Sequence, residues 1–124
     1  MNLVDTSGWF EYFTDSPYAL FFSEAIENTE SLIVSPLNYY EIYKRVLREF
    51  GHDEANRAIG FLNHARVVDL SIPISLEAAE LSVKYQLPMA DSLLLATAFS
   101  QNADFWTMDS HFKDVPSVRY FEKK

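Results

Sequence analysis

Residues 2–8 read NLVDTSG: a short apolar run, then Asp5, two hydroxyl residues and Gly8. Such a run, stopped by aspartate and followed by residues that start helices, predicts a short buried strand turning directly into a helix. Four more short apolar runs follow: Leu32 to Val34, Val67 to Leu70, Phe105 to Thr107 and Val118 to Phe121. They are too short and too far apart for hairpins, and helical stretches lie between them. This alternation predicts an α/β sandwich around a parallel sheet of about five strands. Open parallel sheets place their ligands at the carboxyl ends of the strands, which is where Asp5 stands.

The intervening stretches carry helix punctuation. Ser16-Pro17 and Ser35-Pro36 each read as an N-cap followed by proline at the first helical position, and Gly51 stops the helix that ends at Phe50. Asp53 and Ser75 are expected to cap two further helices. Between Pro36 and Phe50, residues Tyr39, Ile42, Tyr43, Val46 and Phe50 follow the spacing of a buried stripe, leaving Glu41 on a flank with Asn38, Arg45 and Arg48. Ala90 to Gln101, preceded by Leu87-Pro88, reads as another helix with Asp91 in its first turn.

With 124 residues, 48% hydrophobic and 23% charged, the chain is expected to form one soluble domain, 1–124, around one core. No apolar run approaches the ~18 residues of a membrane span, and the basic and apolar regions of a signal peptide are not seen, so a cytoplasmic protein is expected. The lack of cysteine excludes disulfides and thiolate chemistry. Disorder is expected only in the tail Glu122, Lys123, Lys124. The net charge of −8 repels a polyanion unless cations cluster locally or a bound metal offsets gathered carboxylates.

Four acids are placed to gather. Asp5 and Asp109 each follow a strand, Asp91 opens a helix, and Glu41 sits a turn or more into its own. In a right-handed βαβ layout these positions face one edge of the sheet. Taken singly, the aspartates read as caps or dipole partners and Glu41 as a solvated helix residue. Taken together, they would repel one another unless a cation were bound.

The residues LVDTS, the glutamate of SPLNYYEIYKRV, and LPMADSLLLATAFSQNADFWTMDSHF closely resemble the pattern of PIN-domain ribonucleases, particularly the toxins of VapBC-type toxin–antitoxin pairs. The resemblance spans essentially the whole chain. It implies a PIN-like three-layer sandwich, in which Asp5, Glu41, Asp91 and Asp109 form an acidic pocket for Mg²⁺ or Mn²⁺ that cuts a phosphodiester of RNA. It further implies a cognate antitoxin whose C-terminal segment lies across a groove and blocks the pocket. A homodimer is also expected. Where family members often carry a basic residue before the last aspartate, this chain has Met108.

These residue types suit that chemistry. Mg²⁺ prefers oxygen ligands and retains several waters, so a few carboxylates suffice. Asp5, Asp91 and Asp109 are the expected ligands, with Glu41 binding a second ion or positioning the attacking water. Thr6, Ser7 and Thr107 can hold these carboxylates by hydrogen bonds, cap backbone N–H groups, or do both. Arg45, one turn after Glu41, is the first candidate for gripping the RNA backbone, ahead of Lys44, Arg48, His111 and Lys113. No histidine stands at metal-ligand spacing from another, so His52, His64 and His111 are read as surface residues.

Eleven of the 19 aromatic residues precede residue 51, more than one core stripe requires. Trp9, Phe13, Tyr18 and Phe22 are therefore candidates for an exposed partner groove, and an acidic toxin suits a segment carrying arginine or lysine. Two other classes share parts of this pattern. A phosphorelay receiver needs an acidic pair after the first strand, and NLVDTSG has one acid. A metal-free PIN-like scaffold that only binds RNA or protein would normally have lost one of the four acids.

Overall fold

The computed structural model describes residues 1–123, so Lys124 of the expected disordered tail lies outside the described residues. Five strands form one sheet: β1 (Asn2–Val4), β2 (Leu32–Val34), β3 (Arg66–Val67), β4 (Asp104–Thr107) and β5 (Val118–Tyr120). Their order is β3-β2-β1-β4-β5, and every neighbouring pair is parallel. The order reverses at β1, so a crevice opens between the carboxyl ends of β1 and β4.

Strand periodicity divides the core into two layers. Val4, Leu32, Val34 and Trp106 face one side, buried with α1 (Thr6–Phe13), α2 (Ala19–Ile26), α3 (Pro36–Phe50) and α4 (His52–Leu62). Leu3, Ile33 and Phe105 face the other, buried with α5 (Ile72–Tyr85) and α6 (Met89–Ser100). The expected three-layer sandwich is what these contacts build. Gly8 permits the first layer to close: a Cβ there would sit 2.6 Å from the ring of Phe22 and 2.7 Å from Val4.

Several boundaries differ from those expected, each for a local reason. Ser35 does cap α3 through a capping box with Asn38. Ser71, not Ser75, caps α5, because Pro73 sits in the first turn and Ile74 N–H reaches the Ser71 hydroxyl at 3.3 Å. Asp53 lies inside the first turn of α4, whose start is set by Gly51 at φ +90°, a conformation that lets one residue join two helices. Ser16-Pro17 forms a turn in which the Ser16 hydroxyl accepts from Tyr18 N–H, and α2 begins at Ala19. The third strand is Arg66–Val67 rather than Val67 to Leu70; it lies at the sheet edge with Val67 exposed, and Val68 N–H continues the pairing by one bond, to Val34 O. Phe50 closes its stripe in sequence yet is 59% exposed.

Candidate functional site

Asp5 is the pivot. It leaves β1, and its Oδ1 caps α1 by accepting from Thr6 N–H at 2.8 Å. Its Oδ2 accepts from the Thr107 hydroxyl at 2.8 Å and the Ser7 hydroxyl at 3.2 Å. Thr107 ends β4, so this bond ties the two strand ends together, and the same hydroxyl accepts from Asp109 N–H at 3.0 Å. The side chain is almost fully buried. Burial pushes its carboxyl up to about 7; the Thr107 hydrogen bond works against the rise, and the charges of Asp91, Asp109 and Glu41 add to it.

Glu41 reaches the same place from α3, where its Oε1 accepts from the Thr6 hydroxyl at 2.8 Å. Buried Asn38, expected on an outer flank, instead locks that junction: its amide donates to Thr6 Oγ1 at 3.2 Å while its oxygen accepts from Ser35 N–H at 2.9 Å. Asp91 enters from the first turn of α6, and burial, followed by the charge of Asp109, pushes its carboxyl up to about 6 against the opposing effect of His111. Asp109 follows β4 and caps the 3₁₀ turn Ser110–Phe112.

All four acids line one cleft of about 350 Å³. The structure thus brings together the sequence-expected acids, with Thr6 and Ser7 beside them and Arg45, Lys44 and Arg48 along the α3 wall. Arg45 is already engaged, lying 3.9 Å from the ring of Phe10 and 2.9 Å from Glu49. Lys113, His52 and His64 do not line the cleft. Met108 is largely buried in the core and does not line the acidic cleft, so that position supplies no cation there.

His111, read from the sequence as a surface residue, lies beside two of the acids. Its Nδ1 lies 3.1 Å from Asp91 and 3.1 Å from Asp109, and those charges, Asp109 first, raise its pKa. Ligand atoms of Asp91, Asp109 and His111 all lie within 4.8 Å of one another, tight enough to share one ion. The signal was present in DSH: the 3₁₀ turn after Asp109 folds the imidazole back over its own cap. Trp9 and Phe22, expected to face a partner, are fully buried, and only Phe13 of the four lines a groove. That groove, of about 530 Å³, lies between α1, α3 and α4 and is walled by Phe10, Val46, Phe50 and Phe61. Tyr18 packs against Phe121 at 6.0 Å.

The model of the PIN domain family matches residues 3–118. The chain belongs to the PIN-domain family. No curated protein matches it in sequence. Solved structures similar to this PIN domain include a toxin–antitoxin complex from Klebsiella pneumoniae, at TM-score 0.81 and 19% identity over 99% of this chain and 100% of that one. VapC20 of Mycobacterium tuberculosis, described as a sarcin–ricin loop cleaving toxin, gives TM-score 0.78 and 16% identity over 96% and 98%. FitAcB of Neisseria gonorrhoeae gives 0.74 and 19% over 98% and 97%. At such identities these likenesses establish the PIN fold. No helix among the described residues is long and apolar enough to cross a membrane.

Proposed function

We propose that this PIN domain is a Mg²⁺- or Mn²⁺-dependent endoribonuclease acting on single-stranded or looped RNA, and the toxin of a cytoplasmic toxin–antitoxin pair. The convergence of Asp5, Glu41, Asp91 and Asp109 from separate elements on one cleft carries this reading. Gathered carboxylate oxygens fit a hard divalent cation, and packing them together without one is unfavourable. Asp5, Asp91 and Asp109 hold the ion directly or through water, and Glu41 holds a second ion or positions the attacking water. Bound there, the ion neutralises phosphate charge and lowers the pKa of a coordinated water. Thr107 and Ser7 orient Asp5, Thr6 orients Glu41, and Arg45 faces the phosphates from α3.

The structural likeness to a chain of a toxin–antitoxin complex supports an antitoxin partner. So does the run of cavities. The apolar groove shares Phe10 and Thr14 with a second cavity, which shares Ser7, Arg45 and Asp109 with the acidic cleft. An antitoxin segment with apolar residues followed by arginine or lysine matches that path in both shape and charge. The homodimer is supported by Ile72, Leu76 and Val83, 76%, 63% and 83% exposed along one stripe of α5.

The test is cleavage of labelled single-stranded RNA by the purified chain across a Mg²⁺ titration. Cutting should require the metal, stop in EDTA and be lost in Asp91→Asn. A chain that binds RNA in Mg²⁺ without cutting it would favour the catalytically silent scaffold.

A further inference from the structure

Outside the acids, the cleft wall holds a second set of side chains that the metal chemistry does not use. Tyr40, Lys44 and Arg48 recur every four residues along α3, which places them on one side of the helix at the mouth of the cleft. Tyr40 is 61% exposed, with no other aromatic ring among the described residues stacked on it. The Lys44 ammonium sits 5.5 Å from its ring centroid. Neither Lys44 nor Arg48 has a carboxylate partner within 4.0 Å among the described residues, although the chain carries 18 acids and only 10 lysines and arginines. Arg45, between them, is held by Glu49 and Phe10.

An exposed aromatic ring with the Lys44 ammonium over it and Arg48 one turn further along α3, opening onto a phosphodiester-cutting site, has the composition of a single-strand platform. A base stacks on the ring while the adjoining phosphates meet the cations. A base inside a duplex cannot present its face in this way. We propose that Tyr40 is the stacking platform for an unpaired base of the RNA next to the scissile phosphate, with Lys44 and Arg48 holding the flanking phosphates. The proposal rests on the ribonuclease reading for its ligand and assigns that ligand a binding surface.

The experiment measures fluorescence anisotropy of a labelled oligoadenylate and of a matched RNA duplex against the full chain. Ca²⁺ replaces Mg²⁺ to fill oxygen sites, and gels check that the probe stays intact. Tyr40→Ala should weaken oligoadenylate binding roughly ten- to a hundredfold, Tyr40→Trp should restore it, and duplex binding, weaker in the parent, should not change with either. Replacing Lys44 and Arg48 by alanine should lower the salt dependence of binding by about one phosphate contact each. Because Tyr40 is exposed, its removal leaves the fold intact. Equal oligoadenylate affinity for parent and Tyr40→Ala, or no binding by the parent, would overturn the platform. A parent that shows the Tyr40 dependence yet cuts nothing in Mg²⁺ would instead overturn the ribonuclease reading and leave the platform standing.

Discussion

Asp5→Asn separates a carboxylate kept for chemistry from one kept for structure. In the metal-free protein this carboxyl is pushed from 3.8 to about 7, mainly by burial. A carboxyl that is harder to ionise in the folded than in the unfolded chain favours folding below 3.8, and that contribution is lost as the pH rises through about 7. At about 1.4 kcal/mol for each pH unit, the loss on the alkaline side is on the order of 4 kcal/mol. Asparagine escapes it. It still caps α1 through its amide oxygen, but its amide nitrogen faces the Thr107 and Ser7 hydroxyls, which must turn at a cost of about 1 kcal/mol. The variant should therefore be more stable than the parent by roughly 2–3 kcal/mol near about pH 8, and within about 1 kcal/mol of it near about pH 5. Urea unfolding in EDTA at the two pH values reads both numbers, while RNA cleavage in Mg²⁺ should fall by orders of magnitude. A stability difference that is the same at both pH values would refute the burial argument, and parental cleavage by the variant would refute the metal role.

Further outcomes concern the metal, the packing and the partner. Mg²⁺ should raise the melting temperature of the parent but not of Asp91→Asn, and cleavage should fade as the pH drops through about 7 and about 6, where Asp5 and Asp91 take up protons that compete with the ion; a flat profile over that range counts against carboxylate ligands. Gly8→Ala should destabilise the fold by about 1–3 kcal/mol in thermal or urea unfolding, because the new methyl group collides with buried Phe22 and Val4. Sedimentation of the purified chain should show a dimer, and co-expression with a small neighbouring antitoxin should relieve growth inhibition; a strict monomer whose overexpression leaves cells unaffected ends the toxin reading.

The strands were legible because Leu3, Val4, Leu32, Ile33, Val34 and Phe105 are buried at the sheet centre, where burial on both faces favours runs of apolar residues. At the edge that rule lapses, and the β3 boundary was misplaced for that reason. The acids were legible because strand ends and helix starts confine where a carboxylate can point. His111 and Asn38 were not, since their roles depend on a 3₁₀ turn and on a tertiary junction that periodicity does not encode. The surplus of early aromatics was real, yet its division was hidden: α1 and α2 have 8 residues each, too few turns to distinguish an inward from an outward face. Trp9 and Phe22 went inward, whereas the groove fell to Phe50 and Phe61 of α3 and α4.

The charge distribution leads to one more expectation. A chain of net charge −8 repels RNA at long range, but in physiological salt that repulsion fades beyond roughly 8 Å, so the cleft and its rim decide binding. There Lys44, Arg45 and Arg48 stand above Asp5, Glu41, Asp91 and Asp109. Without a cation the acidic floor opposes a phosphate that the rim attracts; with the floor neutralised, only the attraction remains. Metal and RNA should therefore bind cooperatively, and linkage requires that each strengthen the other by the same factor. At a coupling of about 1–3 kcal/mol, oligonucleotide affinity should rise roughly 5- to 150-fold between EDTA and saturating Ca²⁺, and Ca²⁺ affinity should rise equally when oligonucleotide is present. Calorimetric titration in both orders measures the two factors. Affinities for RNA that are equal with and without the ion would show that the acids and the rim do not act on the same phosphate.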